Sequence, residues 1–174
     1  MLDRGRFWTP APALGQAQFA ARDVAVTVVA GLSQALLSGP QRFGAGRLAG
    51  IAAPVGFSGV AAGPRYAVAI ARDRSLIVSE GAIGLAEGWD GESATAVTRM
   101  DDAFVVLDVE GPGLAELLSK ATTLDLADAS PSAALTFAGL PCLAYRFARP
   151  DVLRLHVERP LASALAEWMR LAQR

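Results

Sequence analysis

Two stretches of this chain read almost alike. Ala25, Val26 and Thr27 lead through apolar residues to Gly39 and Pro40, and Ala96, Val97 and Thr98 lead likewise to Gly111 and Pro112. Beyond each Gly-Pro pair the order of signals repeats. A helix-like segment comes first, then two apolar runs around a polar turn, then a second helix-like segment carrying Leu85, Ala86, Glu87 and Trp89 or Leu165, Ala166, Glu167 and Trp168. A unit of roughly 75 residues is too long for a solenoid repeat, and two copies fall short of the about three that a repeat array needs. The pattern predicts a single α+β domain with an internal pseudo-duplication of strand-strand-helix units, the pseudo-repeats running over about 24–90 and 95–172, preceded by an N-terminal arm at 1–22.

A chain of 174 residues fits one domain of ordinary size. Its hydrophobic fraction is 52% and its charged fraction only 19%, below the usual quarter, so part of the exposed surface is expected to be apolar. Such a surface suits association with another subunit, or a homodimer of the isolated chain. Lys120 is the only lysine, the net charge is −1, and no basic cluster tracks a phosphate backbone, which argues against nucleic acid as a partner. No apolar run approaches the about 20 residues of a membrane span, and residues 1–22 lack the apolar core of a signal peptide. Cys142 and His156 stand alone in their types, so neither an internal disulfide nor a Cys/His zinc site is available, and a cytoplasmic location is expected.

Phe7 and Trp8, with Pro10 and Pro12, have no periodicity of their own and read as partner-interface anchors on the arm. Val24 to Val29 and Ser33 to Leu37 flank Gly31, as paired strands around a tight connection would. A helix is expected after Pro40, a long loop over Ala52 to Pro64, and a hairpin from Tyr66–Ala71 to Ser75–Ser79 across Arg72, Asp73 and Arg74. In the second half, Phe104 to Leu107 make a strand that Gly111 ends, and Pro112 opens a helix with Leu114, Leu117 and Leu118 on its core face. Strands follow at Leu135–Ala138, Cys142–Phe147 and Val152–Val157. Pro160 starts a closing helix whose apolar face is Leu161, Leu165, Trp168, Met169 and Ala172.

The search for reactive groups returns little. Gly44, Ala45, Gly46 and Ala49 match G-x-G-x-x-A, but without the strand-turn-helix context a pyrophosphate cradle requires they read as small residues for close helix packing. His156 alternates with Leu155 and Val157, which places it with Arg154 on the face away from the core, as a surface or interface histidine. Cys142 lacks a neighbour that would lower its pKa. Asp101 and Asp102 are adjacent at an expected hairpin turn and point apart, unsuited to shared acid/base work. Glu110, Glu116, Asp125 and Asp128 have no spacing that marks a ligand set. On the residues alone there is no catalytic group, no metal site and no assigned cofactor site.

The stretch Gly111 to Leu126, then the strands at Leu135–Thr136 and Pro141 to Phe147 and the segment Asp151 to Met169, resembles the gamma subunit family of heterotetrameric sarcosine oxidase, whose fold is similar to the folate-binding domain of the glycine-cleavage T protein. The matching positions are Leu117, Leu118 and Lys120, then Leu124, Asp125 and Leu126, and finally Arg159, Pro160, Leu161, Ala162 and Trp168. Thr122 and Thr123 stand where the family reads Cys-Pro, and Pro160 with Leu161 replaces Ser-Phe. The resemblance implies a non-catalytic subunit of a complex that oxidises N-methylglycine. Its partners would be the alpha, beta and delta subunits, which would carry FAD, FMN, NAD and tetrahydrofolate, with zinc on delta. The alternative it leaves open is a stand-alone folate-binding one-carbon transfer protein, with Glu110 or Asp125 asked to hold the pterin.

Overall fold

The computed structural model describes residues 19–21, 23–40, 51, 53–124 and 130–172. The arm with Phe7 and Trp8, the glycine motif at Gly44–Ala49, the helix expected after Pro40, and Asp125 and Asp128 lie outside them. In chain order the elements are β1 (Phe19–Ala21), β2 (Val24–Val29), β3 (Ser33–Ser38), β4 (Val60–Ala61), β5 (Arg65–Ala71), β6 (Arg74–Ser79), β7 (Gly88–Asp90), β8 (Thr95–Arg99), β9 (Phe104–Glu110), α1 (Leu114–Ala121), β10 (Ala134–Phe137), β11 (Leu140–Phe147), β12 (Arg149–Glu158) and α2 (Ala162–Ala172). A 3-10 turn, Arg159–Leu161, joins β12 to α2.

The strands form two sheets. The first runs β1-β2-β9-β12-β11-β10, with the two-residue β4 added in parallel to β11. The second runs β5-β6-β3-β8-β7. Every other pairing between these strands is antiparallel, and one isolated bridge, Val55 with Val68, is parallel. Helices α1 and α2 cover one face of the first sheet. There Leu114, Leu117, Leu118, Leu165 and Met169 meet Leu107, Val109, Leu153, Leu155 and Val157 in the largest apolar cluster. Each such side chain contributes about 1.5–3 kcal/mol by leaving water. The other face of the first sheet lies on the second, where Leu143 and Tyr145 meet Tyr66, Val68, Leu76 and Val78. The outer face of the second sheet holds Ala35, Leu37, Ile77 and Val97 beneath Ile83.

Lys120 closes the last turn of α1. Its ammonium donates to the carbonyl oxygen of Ala172, at the negative end of α2, at 2.8 Å and pairs with Glu116 one turn back.

The predicted hairpin of β5 and β6 forms, with Arg72 and Asp73 in its turn. The tight pairing expected across Gly31 does not. β2 pairs with β9 in the first sheet and β3 pairs with β6 and β8 in the second, so the chain crosses between sheets at Ala30–Leu32. It crosses back at Asp101–Ala103, between β8 and β9, where a hairpin turn was also expected. Gly31 signals a sharp turn in both cases, and local sequence does not say whether the strands it joins will pair.

A second correction concerns Leu85 to Trp89. Residues 82–87 have no regular structure and Gly88–Asp90 is a strand, because Gly81, Gly84 and Gly88 interrupt the helical spacing and each glycine costs a helix about 1 kcal/mol.

The two glycines of the repeated Gly-Pro signals are placed alike. Gly39 ends β3 with φ 137° and Gly111 ends β9 with φ 135°. A Cβ on Gly39 would fall on the carbonyl oxygen of Ala94, just before β8, and one on Gly111 on that of Asp23, just before β2. The first strand of each half pairs with the second strand of the other: β2 with β9, and β8 with β3.

Candidate functional site

Strand β12 carries Arg154 and His156 among Val152, Leu153, Leu155 and Val157. Alternation sends the leucines and Val157 toward the helices and Arg154 and His156 the other way. That other way is the second sheet. His156 is fully buried, so the expectation of a surface or interface histidine is corrected: with both faces of the sheet covered, alternation separates two interiors.

Between the sheets these side chains join a continuous polar chain. Arg154 sits opposite Asp108 in the β12–β9 register and holds its carboxylate with two hydrogen bonds, Nε to Oδ1 and Nη2 to Oδ2, both 2.7 Å. Its Nη1 donates to the hydroxyl of Tyr66 at 2.9 Å, and the guanidinium lies 3.3 Å from the centroid of the Phe147 ring. The Tyr66 and Tyr145 hydroxyls are 2.9 Å apart, Tyr145 is 2.7 Å from His156 Nε2, and His156 Nδ1 is 2.8 Å from Gln34 Oε1. The Gln34 backbone N–H donates to Asp101 Oδ1 at 2.6 Å.

The arginine fixes the direction of this chain. Arg154 can only donate, so Tyr66 accepts from it and gives its own proton to Tyr145, Tyr145 donates to Nε2, and Nδ1–H donates to Gln34. Running the hydroxyls in reverse would leave the proton of Tyr66 without an acceptor. The histidine is therefore the neutral Nδ1–H tautomer. Burial first and the Arg154 charge second push its pKa down to about 3. Burial opposes the charge on Arg154, but hydrogen bonds from it to Asp108 and Tyr66 and their charges outweigh burial and raise its pKa. Burial raises both tyrosines, partly offset at Tyr66 by Arg154.

Such a chain links the two sheets through buried hydrogen bonds, with its histidine neutral at pH 7 and the side-chain NH2 of Gln34 left without a partner among the described residues. Cys142 is buried in β11, and burial pushes its thiol up to about 12, leaving it protonated and un-nucleophilic. Asp101 is held from Gln34 and Arg99. Partial burial works to raise its pKa, but those hydrogen bonds and the Arg99 charge lower it. Glu110 pairs with Arg149 at the surface and Glu116 with Lys120. Among the described residues no three His, Cys, Asp or Glu side chains gather as a metal site. No helix there is long and apolar enough to cross a membrane.

Two clefts flank Phe104. One, of about 320 Å³, is apolar, walled by Leu36, Leu76, Leu135 and Cys142. The other, of about 370 Å³, lies between the two sheet crossings and is lined by Val28, Gln34, Asp101, Phe104, Val105 and Arg159 among others. The Gln34 end of the polar chain reaches this second cleft. The members that sequence reasoning missed are Gln34, Tyr66, Asp108, Tyr145 and Arg154. A signal existed for two of them, since Asp108 and Arg154 are opposite charges set inside the apolar runs Val105–Val109 and Val152–Val157.

No family model and no curated protein sequence matches the chain. Solved structures do. A chain of heterotetrameric sarcosine oxidase from Corynebacterium sp. U-96, in complex with pyrrole 2-carboxylate, superposes with a TM-score of 0.69 at 21% identity, covering 94% of this chain and 90% of that one. Glycine cleavage system aminomethyltransferase T from Bartonella henselae superposes with a TM-score of 0.54 at 14% identity over 86% of this chain, which spans 46% of that protein. The chain has the fold shared by a chain of heterotetrameric sarcosine oxidase and by the glycine-cleavage T protein.

Proposed function

We propose that this chain is a non-catalytic, gamma-type subunit of a cytoplasmic sarcosine oxidase complex, assembling with alpha, beta and delta subunits that carry FAD, FMN, NAD, tetrahydrofolate and zinc. The observation that carries the reading is likeness over nearly the whole of both chains to one component of a heterotetrameric sarcosine oxidase. The state of the reactive groups supports it. The histidine is neutral and enclosed and the thiol protonated, so neither serves as a base or nucleophile at pH 7. The matched connections at Gly39 and Gly111 further support the reading of one strand-strand-helix unit duplicated within the fold.

Exposed apolar surface fits an assembling subunit: Trp89, on the edge strand β7, is 68% exposed. Co-expression of the tagged chain with the large flavin-bearing subunits, followed by affinity purification, is expected to recover the complex. Recovery of the chain alone, under conditions where the other subunits assemble, would end this reading.

Likeness to the T protein favours a second reading, a free folate-binding one-carbon transfer protein. Titration calorimetry of the isolated chain with tetrahydrofolate separates the two, since tight binding belongs only to the second.

A further inference from the structure

Gln34 lines the cleft of about 370 Å³, and its hydrogen bonds are nearly all assigned. Its backbone N–H goes to Asp101, its backbone carbonyl accepts from Met100, and its side-chain oxygen accepts from His156. The side-chain Nε2 has no hydrogen-bond partner among the described residues, although Gln34 is only 2% exposed. The polar chain running from Arg154 fixes the oxygen toward His156, so the unengaged group is the NH2. A buried donor without an acceptor destabilises the fold, and Gln34 is among the residues lining a space that a ligand fits.

Arg159 lines the same cleft. Its backbone N–H is bonded to Ala103 and its Nε to the Asp102 carbonyl, which anchors the side chain to the crossing turn and leaves Nη1 without a hydrogen bond among the described residues. Two unused donors, one of them charged, therefore share one wall system with Val28, Val105 and the Phe104 ring. The remaining charges limit what can enter. Both oxygens of Asp101 are occupied, by Gln34 and Arg99, and Asp102 stands exposed beside Arg159. Arg159 Nη2 already lies 3.7 Å from Asp102 Oδ1, so one added carboxylate would share that guanidinium with an exposed aspartate, whereas a second would face both aspartates unmatched.

We propose that this cleft binds a small monocarboxylate, its carboxylate accepting from the Gln34 amide and Arg159 and its apolar body resting against Val28, Val105 and Phe104. The lining residues all belong to this chain and the proposal does not rest on the subunit reading, so the two fail or stand separately.

Benzoate and isobutyrate serve as probes, with malonate and inorganic phosphate as controls, on the full 15N-labelled chain or on the complex that contains it. The monocarboxylates are expected to bind with a Kd of about 1 mM, in keeping with ligands of this size, and to shift the side-chain amide pair of Gln34. Malonate and phosphate are expected to leave it unmoved. Arg159→Gln, a change at an exposed side chain, is expected to weaken benzoate at least about fivefold with unchanged circular dichroism. Gln34→Met is expected to abolish the binding; where that variant fails to fold, the Gln34 amide shift and Arg159→Gln decide alone. An amide pair indifferent to both monocarboxylates, or an Arg159→Gln variant that binds benzoate as tightly as the parent, would overturn the site.

Discussion

His156 shows how a single residue acquires its properties from what closes over it. In an unfolded chain its imidazole titrates near the ordinary value of about 6.5, whereas in the fold burial and Arg154 push it down to about 3. Between those values the unfolded chain binds a proton that the native chain refuses. Stability from this residue is therefore complete above about pH 6.5 and is lost as pH falls toward 3, with a slope of about 1.4 kcal/mol per pH unit. Urea unfolding between pH 7 and pH 4 is expected to bring the parent closer to His156→Gln, which lacks the titration, by about that amount per unit. A constant gap would mean that the histidine is solvated and titrates normally. Local alternation put His156 on the correct face, but the nature of that face came from the second sheet.

At the scale of elements, the two Gly-Pro signals are the best-read feature of the chain. Each glycine ends a strand with φ near 136° and passes over the carbonyl preceding the first strand of the other half. Gly39→Ala and Gly111→Ala are each expected to cost about 2 kcal/mol or more, since a side chain there meets both an unfavourable φ and a backbone oxygen. Gly81→Ala, with open space around it, is the control and should change stability by less than about 1 kcal/mol. Thermal unfolding of the three variants side by side checks the ranking; equal losses would show that the crossings tolerate a side chain.

Helix α1 and strands β5, β6, β9, β11 and β12 were legible for the same local reason, a consistent period bounded by glycine or proline. The closing helix expected in the first half was not, because its apolar residues keep helical spacing while three glycines undo the propensity.

At the scale of the molecule, the pair Asp108–Arg154 is the point where the two sheets share one polar network. Arg154 is 4% exposed, so removing its partner leaves a cation that the interior cannot solvate. Asp108→Ala is expected to cost about 3 kcal/mol and to lower the urea midpoint of a single transition, since the two sheets bury their facing sides in one shared cluster. Two separate transitions would show that the sheets unfold apart. The double variant Asp108→Leu with Arg154→Met should recover much of the loss, which a role outside the pair would not allow.

The sequence settled the local periods, the turns at Gly39, Gly111 and the β5–β6 hairpin, and the apolar faces of α1 and α2, because each is a matter of neighbouring residues and backbone freedom. Through a resemblance in its second half it also pointed to the fold that the solved structures bear out. The tertiary structure alone decided which strands pair, that Gly31 and Asp101–Ala103 carry the chain from one sheet to the other, and that both faces of the first sheet are interior. Residues 34, 66, 108, 145, 154 and 156 are spread over more than a hundred positions, and they become one polar chain only when two sheets close on each other.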